Sequence, residues 1–181
     1  MKRVLLFTIL SLAFFLSPLR AQLQQVSQGN GYAEQIFYSI EDGSTTAITH
    51  DEWDIAFGVN IFTSAIFVNE ATASGGAPGS VQGVELYAST ATDFATADTS
   101  MITEQLHNDE ASWSAGAFNL IAVAEDPFDL GWGRYNTQTQ AVTGNRIYFI
   151  VDRTGAYRKL MINSLASRVY TFTYANLDGS F

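Results

Sequence analysis

The chain has 181 residues, of which 47% are hydrophobic and 13% aromatic, and its formal net charge is −9. This length and apolar content suit one domain with its own hydrophobic core, and they exclude a disordered chain. The acidic balance argues against nucleic acid and anionic membranes as partners. Because the sequence has no cysteine, it excludes disulfides, thiolate metal sites, a cysteine nucleophile and a lipid anchor attached to cysteine.

The first 21 residues have the pattern of a secretory signal peptide. Lys2 and Arg3 precede an apolar run over 4–16, and Ala21 supplies a small residue at the predicted cleavage site. The run is too short for a membrane span, and no later segment is long and apolar enough to be one. We therefore expect a secreted, cell-surface or periplasmic protein of 160 residues, with a net charge of −12 after Lys2, Arg3 and Arg20 are removed.

Short predicted strands follow a polar, flexible lead-in over 22–31. They span 32–41, 45–49, 52–58, 60–69, 84–88, 118–123, 145–152, 157–164 and 168–174. Asp42-Gly43 is a strong hairpin signal between the first two. The strand over 60–69 has mixed side chains on both faces, which is typical of a strand covered on both sides.

Three other segments are not predicted as strands. The composition of 73–83 predicts a loop, and 89–110 is poorly defined, with a helical turn or two expected over 101–107. The segment 126–136 is expected to be a loop that holds Pro127 and Gly131-Trp132-Gly133.

Many short strands, frequent turns and little helix predict an all-β fold. We expect a single domain over 32–181 that forms a β-sandwich or a strongly bent antiparallel sheet. Alternation along the strand over 157–164 would place Arg158 and Lys159 on opposite faces. The strand runs that end at Phe57 and Tyr174 are both predicted to lie in the core.

The sequence favours a binding protein over an enzyme. Two histidines and no cysteine allow few pairs of nucleophile and base, and the motifs of serine hydrolases, zinc peptidases and phosphate-binding loops are absent. The 18 acidic residues show no spacing that singles out a catalytic pair. Glu125, Asp126 and Asp129 could hold a calcium ion, but we favour a solvated acidic loop because no calcium-binding spacing is present.

An aromatic group in the second half of the chain is a candidate ligand site. Trp132, Arg134 and Tyr135 lie close together beside glycine, and such side chains can stack on a flat or sugar-like ligand. In the alternative, which we favour slightly, Trp132 is structural and closes the end of the sandwich. Trp53 and Trp113 are expected to lie in the core or at its rim.

Several strand segments together resemble the core of a known family. They are 53–57 (WDIAF), 146–152 (RIYFIVD) and 170–174 (YTFTY), with 37–40 (FYSI) in support. Over about 32–174 the chain is in this respect similar to the HmuY family, which comprises secreted all-β proteins of Gram-negative bacteria. The resemblance implies an HmuY-like β-domain that captures haem or a related porphyrin outside the cell.

The resemblance also implies what the chain end and the partners would be. Members without a lipid anchor often carry a C-terminal sorting domain for type IX secretion, so we expect a short form or a portion of a longer protein. Haem or haemoproteins would be the partners. The rival function is a structural or adhesive module of a larger secreted cell-surface protein that lacks a haem site.

The haem ligands that the resemblance implies match this chain only in part. Haem iron is held in proteins by His, Met, Cys or Tyr, and the family uses two histidines on separate loops. His107, with Met101 nearby, matches the first loop and is the candidate iron ligand. The second position falls within 133–136, where Tyr135 is a conceivable substitute and the ligand is otherwise unknown. The alternative for His107, as for His50, is a solvated side chain, and Met161 is assigned to the core.

Overall fold

The computed structural model describes residues 23–29, 34–49, 52–58, 64–70 and 83–181, and nearly all of its regular structure is β-strand. The all-β fold class is therefore confirmed. The predicted signal peptide, parts of the lead-in, His50 and most of the predicted loop over 73–83 lie outside the described residues. Residues 23–29 of the lead-in are exposed and form no strand.

Eleven strands occur within the described ranges. They are β1 (Glu34–Tyr38), β2 (Thr45–Thr49), β3 (Ile55–Phe57), β4 (Ile66–Val68), β5 (Glu85–Ser89), β6 (Ile102–Leu106), β7 (Gly133–Asn136), β8 (Ala141–Gly144), β9 (Tyr148–Val151), β10 (Tyr157–Ala166) and β11 (Val169–Asn176). Two 3₁₀ turns span Thr99–Met101 and Ala117–Asn119. Over the same ranges, no helix has the length and apolar character that crossing a membrane would require.

Seven strands form one antiparallel sheet in the order β6-β5-β9-β10-β8-β7, with β11 paired to β10. The long strand β10 has β11 along one edge, while its other edge is shared by two strands. Its first four residues pair with β9, and Ser164 and Leu165 pair with β8. The register with β11 shifts between Ile162 and Ser164. A bulge of this kind bends a strand, which suits the bent sheet that the sequence predicts.

The centre of the sheet is covered on both faces. All four residues of β9 are buried, and alternation sends their side chains to opposite sides. Tyr148 and Ile150 join the larger core cluster with Trp132 and Phe118. Phe149 belongs to a second, smaller cluster on the opposite face. Strands β9 and β10 thus form the central part of the fold.

A two-stranded ribbon of β3 and β4 packs on the larger cluster through Ile66 and Val68. The outer edge of β4 is hydrogen-bonded by the side-chain amide of Asn119. Its Oδ1 accepts from Ile66 N at 3.1 Å and from Gly116 N at 3.2 Å, and its Nδ2 donates to Leu130 O at 2.9 Å. One amide therefore joins the ribbon to two loops.

Asn108 hydrogen-bonds the same edge of β4 two residues further along the strand. Its Oδ1 accepts from Val68 N and from Ala117 N, each at 3.1 Å, and its Nδ2 donates to Val68 O at 2.7 Å. Ile66 and Val68 are two residues apart, so their backbone groups face the same side of the strand. The two asparagines thus occupy the place that a neighbouring strand would take.

The predicted hairpin at Asp42-Gly43 is confirmed by the antiparallel pairing of β1 and β2. Gly43 has a φ of 73°, which favours glycine. Ser44 N donates to Asp42 Oδ1 at 3.0 Å, which fixes the turn. Lys159 is buried, whereas Arg158 is half-buried and its guanidinium bonds Asp152. The prediction that the two side chains lie on opposite faces of β10 is therefore confirmed.

Three sequence predictions about local structure are wrong. The helical turn expected over 101–107 is mostly strand β6, because Leu106 pairs with Leu86 of β5 and this tertiary pairing overrides local preference. The strand expected over 118–123 is the 3₁₀ turn Ala117–Asn119 followed by further turns, because the Asn119 amide bonds the backbone. The end of the loop expected over 126–136 is strand β7, paired with β8.

The expectation that both terminal aromatic runs are core strands also needs correction. The run that ends at Phe57 is a half-buried strand. The run that ends at Tyr174 is a strand, but Phe172 and Tyr174 stay substantially exposed. The physical reason is that β11 pairs with β10 alone among the described strands, so it forms an edge of the sheet.

We expect Asn119→Ala to destabilise the fold strongly. The change leaves two backbone N–H groups and one carbonyl without their side-chain partner, which costs roughly 3 kcal/mol of unfolding free energy. Asn163→Ala is the matched control, because the amide of Asn163 bonds Thr173 at an exposed position. Urea denaturation measures both variants, and equal losses would contradict the role assigned to Asn119.

We expect Asp152 to contribute a pH-dependent part of the stability. Burial alone would raise the pKa of this carboxyl, but hydrogen bonds from Thr154, Arg158 and Ala156 outweigh burial and lower the pKa to about 2. The folded pKa lies below the ordinary value of 3.8, so the contribution is present above pH 3.8 and is lost as the pH falls towards 2.

Asp152→Asn should therefore lower the unfolding free energy at pH 7 by about 1–2 kcal/mol, and the difference from wild type should shrink between pH 4 and pH 2. Denaturant titrations over this pH range measure the difference. Glu125→Gln controls for the loss of an exposed charge. A difference that persists unchanged at pH 2 would refute the linkage.

Candidate functional site

A groove of about 990 Å³ lies between the β1–β2 hairpin, the β3–β4 ribbon and the loop over 108–113. Its volume is at the upper end of the range for pockets that hold organic ligands. Residues with large apolar side chains lie in all three walls: Phe37, Ile48, Trp53, Phe67 and Trp113. The groove is the candidate functional site.

The hairpin provides one wall through a single face of its two strands. Gln35 and Phe37 are two residues apart on β1, so they face the same way, and Ile48 stands opposite Gln35 on β2. Phe37 is nevertheless 51% exposed. An apolar hairpin face that is open to water is typical of a binding surface.

The ribbon and the 108–113 loop provide the other walls. Trp53 is half-buried, and its carbonyl accepts from the buried amide of Asn69 at 2.7 Å. The loop starts at Asn108, and Asp109 Oδ1 accepts from Ala111 N at 2.8 Å to form its first turn. At its end, Trp113 is 87% exposed. Leaving this large ring in water forgoes the stabilisation that burial would give.

His107 lies beside the groove and is held by Glu70, which lines it. The distance from His107 Nδ1 to Glu70 Oε1 is 2.7 Å, and Asn108 N donates to Glu70 Oε2 at 2.9 Å. The His107 side chain is 61% exposed. A histidine that is bonded to a carboxylate through Nδ1 has its ring orientation fixed and presents Nε2 to a ligand.

Met101 does not join His107. It ends the 3₁₀ turn before β6, whereas His107 follows β6, so the five residues of this strand separate them by about 20 Å. Met101 packs against the smaller cluster with Ile147 and Phe149. Met161 packs there too, which agrees with its assignment to the core. The structure therefore does not bring the two predicted haem-contacting residues together.

Trp132, Arg134 and Tyr135 do not form one site. The Trp132 ring is fully buried, and its Nε1 donates to Ser64 O at 3.0 Å. Arg134 is ion-paired with Asp126. Arg134 and Tyr135 line a smaller hollow of about 450 Å³ without Trp132. Trp132 is thus removed from the candidate ligand-binding residues, because it belongs to the core as the structural alternative predicts.

In the acidic loop over 125–129, Asp126 and Asp129 are ion-paired with Arg134 and Arg146, whereas Glu125 is exposed, as expected for a solvated loop. The Arg134 hydrogen bond lowers the pKa of Asp126. Asp129 is more buried, which alone would raise its pKa, but bonds from Gly131 N, Val123 N and Arg146 outweigh burial and lower it. Within the part of the chain that the structure describes, no group of three or more His, Cys, Asp or Glu could hold a metal ion.

Sequence analysis missed Trp53 and Trp113 as residues of a site. Both were expected in the core or at its rim, yet both line the groove. A signal was present, because Trp53 stands between Glu52 and Asp54, and Trp113 follows Asp109 and Glu110 closely. An aromatic residue among carboxylates is poorly placed for a core, and this pattern favours the surface.

We expect replacement by alanine to destabilise the fold far more at Trp132 than at Trp113. Trp132→Ala should cost about 3–5 kcal/mol of unfolding free energy, because it leaves a cavity and breaks the bond to Ser64. Trp113→Ala should cost less than about 0.5 kcal/mol, as is usual for exposed positions. Urea denaturation measures both. If Trp132→Ala were as mild as Trp113→Ala, Trp132 would return as a candidate site residue.

No protein-family model, curated protein or solved structure matches this chain. The resemblance to the HmuY family therefore stays a prediction, and the geometry of the groove is the basis for a functional proposal.

Proposed function

We propose that this chain is a secreted binding protein of the HmuY type and that its groove holds a large apolar ligand, with haem or a related porphyrin as the leading candidate. One observation carries the proposal: five residues with large apolar side chains line a groove of about 990 Å³ that is open to solvent. A ligand that covers this surface would recover the free energy that its exposure costs.

The aromatic lining suits a flat ligand. Phe37, Trp53, Phe67 and Trp113 come from three different walls, and aromatic rings pack favourably on planar π-systems in offset or edge-on arrangements. A ligand can contact these rings without any rearrangement of the seven-stranded sheet, because the rings belong to the hairpin, the ribbon and the 108–113 loop. A planar macrocycle is therefore a reasonable occupant.

His107 is the residue that would hold a haem iron. Its Nδ1 lies 2.7 Å from a carboxylate oxygen of Glu70, an arrangement that raises the basicity of the other ring nitrogen in metal-binding histidines. His107 Nε2 would be the protein atom that holds the iron of a bound haem, and the haem would supply the iron centre. The described residues bring no methionine to this position, so the proposal rests on a single protein ligand.

The same geometry supports binding more than catalysis. His107 Nδ1 meets a carboxylate that also accepts from the Asn108 backbone. A histidine that activates a nucleophile can have the same carboxylate contact at Nδ1, but it also needs a hydroxyl or thiol beside Nε2, and among the described residues the ring of His107 hydrogen-bonds only Glu70. We propose a capture function without a chemical step.

A second candidate function is an adhesive module of a larger secreted protein. The specific observation in its favour is a row of exposed aromatics on the edge strand β11. The rings of Phe172 and Tyr174 stack with centroids 6.2 Å apart, and Tyr174 meets Phe181 at 5.2 Å. An edge strand with exposed apolar side chains is a place where another extended chain can pair.

A hemin titration distinguishes the two functions. We expect micromolar hemin to give a sharp Soret band and to quench tryptophan fluorescence, because Trp53 and Trp113 line the groove. His107→Ala should lower hemin affinity at least about tenfold. Met101→Ala is the matched control and should leave the spectrum unchanged, because Met101 lies about 20 Å away along β6.

Two results would count against haem capture through His107. If wild-type protein gave no spectral change, or if His107→Ala bound hemin as tightly as wild type with the same band, His107 would not be an iron ligand. Circular dichroism of each variant verifies that the β-fold is retained. Absence of any hemin response would favour the adhesive module.

A further inference from the structure

The groove is built from a part of the chain that has no Lys or Arg. The sequence contains neither residue over 21–133, a stretch of 113 residues that contains sixteen Asp and Glu. All three walls of the groove come from this stretch. The composition of the walls therefore supplies negative charge and no permanent positive charge.

Four carboxylates line the groove itself: Glu52, Glu70, Asp109 and Glu110. His107 does not line the groove, and its ring lies against Glu70, so it adds no net positive charge to the walls. The carboxylates share the groove with Trp53 and Trp113. Both features act in the same direction, because indole faces and carboxylates each attract cations.

The arginines of the later chain do not offset this charge. Arg134 pairs with Asp126, Arg146 with Asp129, and Arg158 with Asp152. Arg153 contacts the segment just before the ribbon, where its Nε lies 2.7 Å from Asp54 Oδ1. Asp54 is next to Trp53 in sequence but does not line the groove. Each of these four arginines thus neutralises a carboxylate outside the groove.

We propose that the groove selects by charge and takes an organic cation with an aromatic body of a few rings. This inference rests on the proposed binding function and specifies the ligand class of the same groove. The apolar walls require a sizeable hydrophobic body, and the carboxylates require an amine or quaternary ammonium attached to it. An anion of the same shape meets four like charges. Haem carries two anionic propionates and no ammonium group, so charge selection of this kind would replace haem as the preferred ligand, while the binding function of the groove would stand.

Two fluorescent probes with the same body and opposite charge test the proposal. Dansylcadaverine ends in an amine, and dansyl-6-aminohexanoate ends in a carboxylate on a linker of similar length. At pH 7 and low salt we expect the full chain to bind the amine at least about tenfold more tightly. The difference should narrow at about 0.5 M salt, because salt screens exposed charges. Dansyl emission and tryptophan quenching report binding.

A pair of double variants separates the groove carboxylates from overall net charge. Glu52→Gln with Glu110→Gln removes two charges from the groove and should reduce the preference for the amine at least about threefold. Glu104→Gln with Glu125→Gln removes two exposed charges outside the groove and should leave the preference unchanged. An equal effect of both double variants would overturn local charge selection.

Further outcomes separate this inference from the proposed function. Trp113→Ala should weaken both probes alike, because the two probes share the apolar body. Equal binding of both probes by wild type, lost in Trp113→Ala, would overturn charge selection while the binding function stands. If neither probe nor hemin bound, the groove would not be a ligand site, and both proposals would be overturned.

Discussion

The groove depends on how the outer edge of β4 is hydrogen-bonded. A buried strand edge without partners would be costly, and here the amides of Asn108 and Asn119 bond the backbone of Ile66 and Val68. Asn108 also begins the loop that carries Trp113 to the rim. The contacts that stabilise the ribbon on the core therefore also position two of the three walls. A third strand at this edge would occupy the place of that loop.

Some charged side chains of the chain form ion pairs that stabilise the fold, whereas other charged side chains line the groove. Four arginines of the later chain form ion pairs that join loops to neighbouring segments, and the Arg153–Asp54 pair links residues 99 positions apart. The carboxylates on the groove have no arginine partner among these pairs. Acidic side chains outside the groove also form turns, as Asp98 does with Ser100. Some of the acidic side chains thus stabilise the fold through ion pairs and turns, and others lie on the groove.

Sequence alone predicts those parts of the fold whose signal is local. The hairpin at Asp42-Gly43 and the final meander combine alternating side chains with turn residues, and both are present. Strand β7 was missed because its glycine and polar residues show no clear alternation of apolar and polar side chains. Its extended conformation is stabilised by pairing with β8. The groove was missed for a different reason. Phe37, Trp53 and Trp113 are distant in sequence, and only tertiary packing brings them together.

Under the proposed binding function, the β1–β2 hairpin would link ligand binding to the order of the site. Among the described strands it pairs with no other part of the sheet, so it forms a separate two-stranded ribbon, and such ribbons are marginally stable alone. Its apolar face meets the groove through Phe37 and Ile48. A ligand in the groove would supply the apolar contacts that this face lacks. Binding and hairpin position are then coupled by mass action, since whatever favours one favours the other.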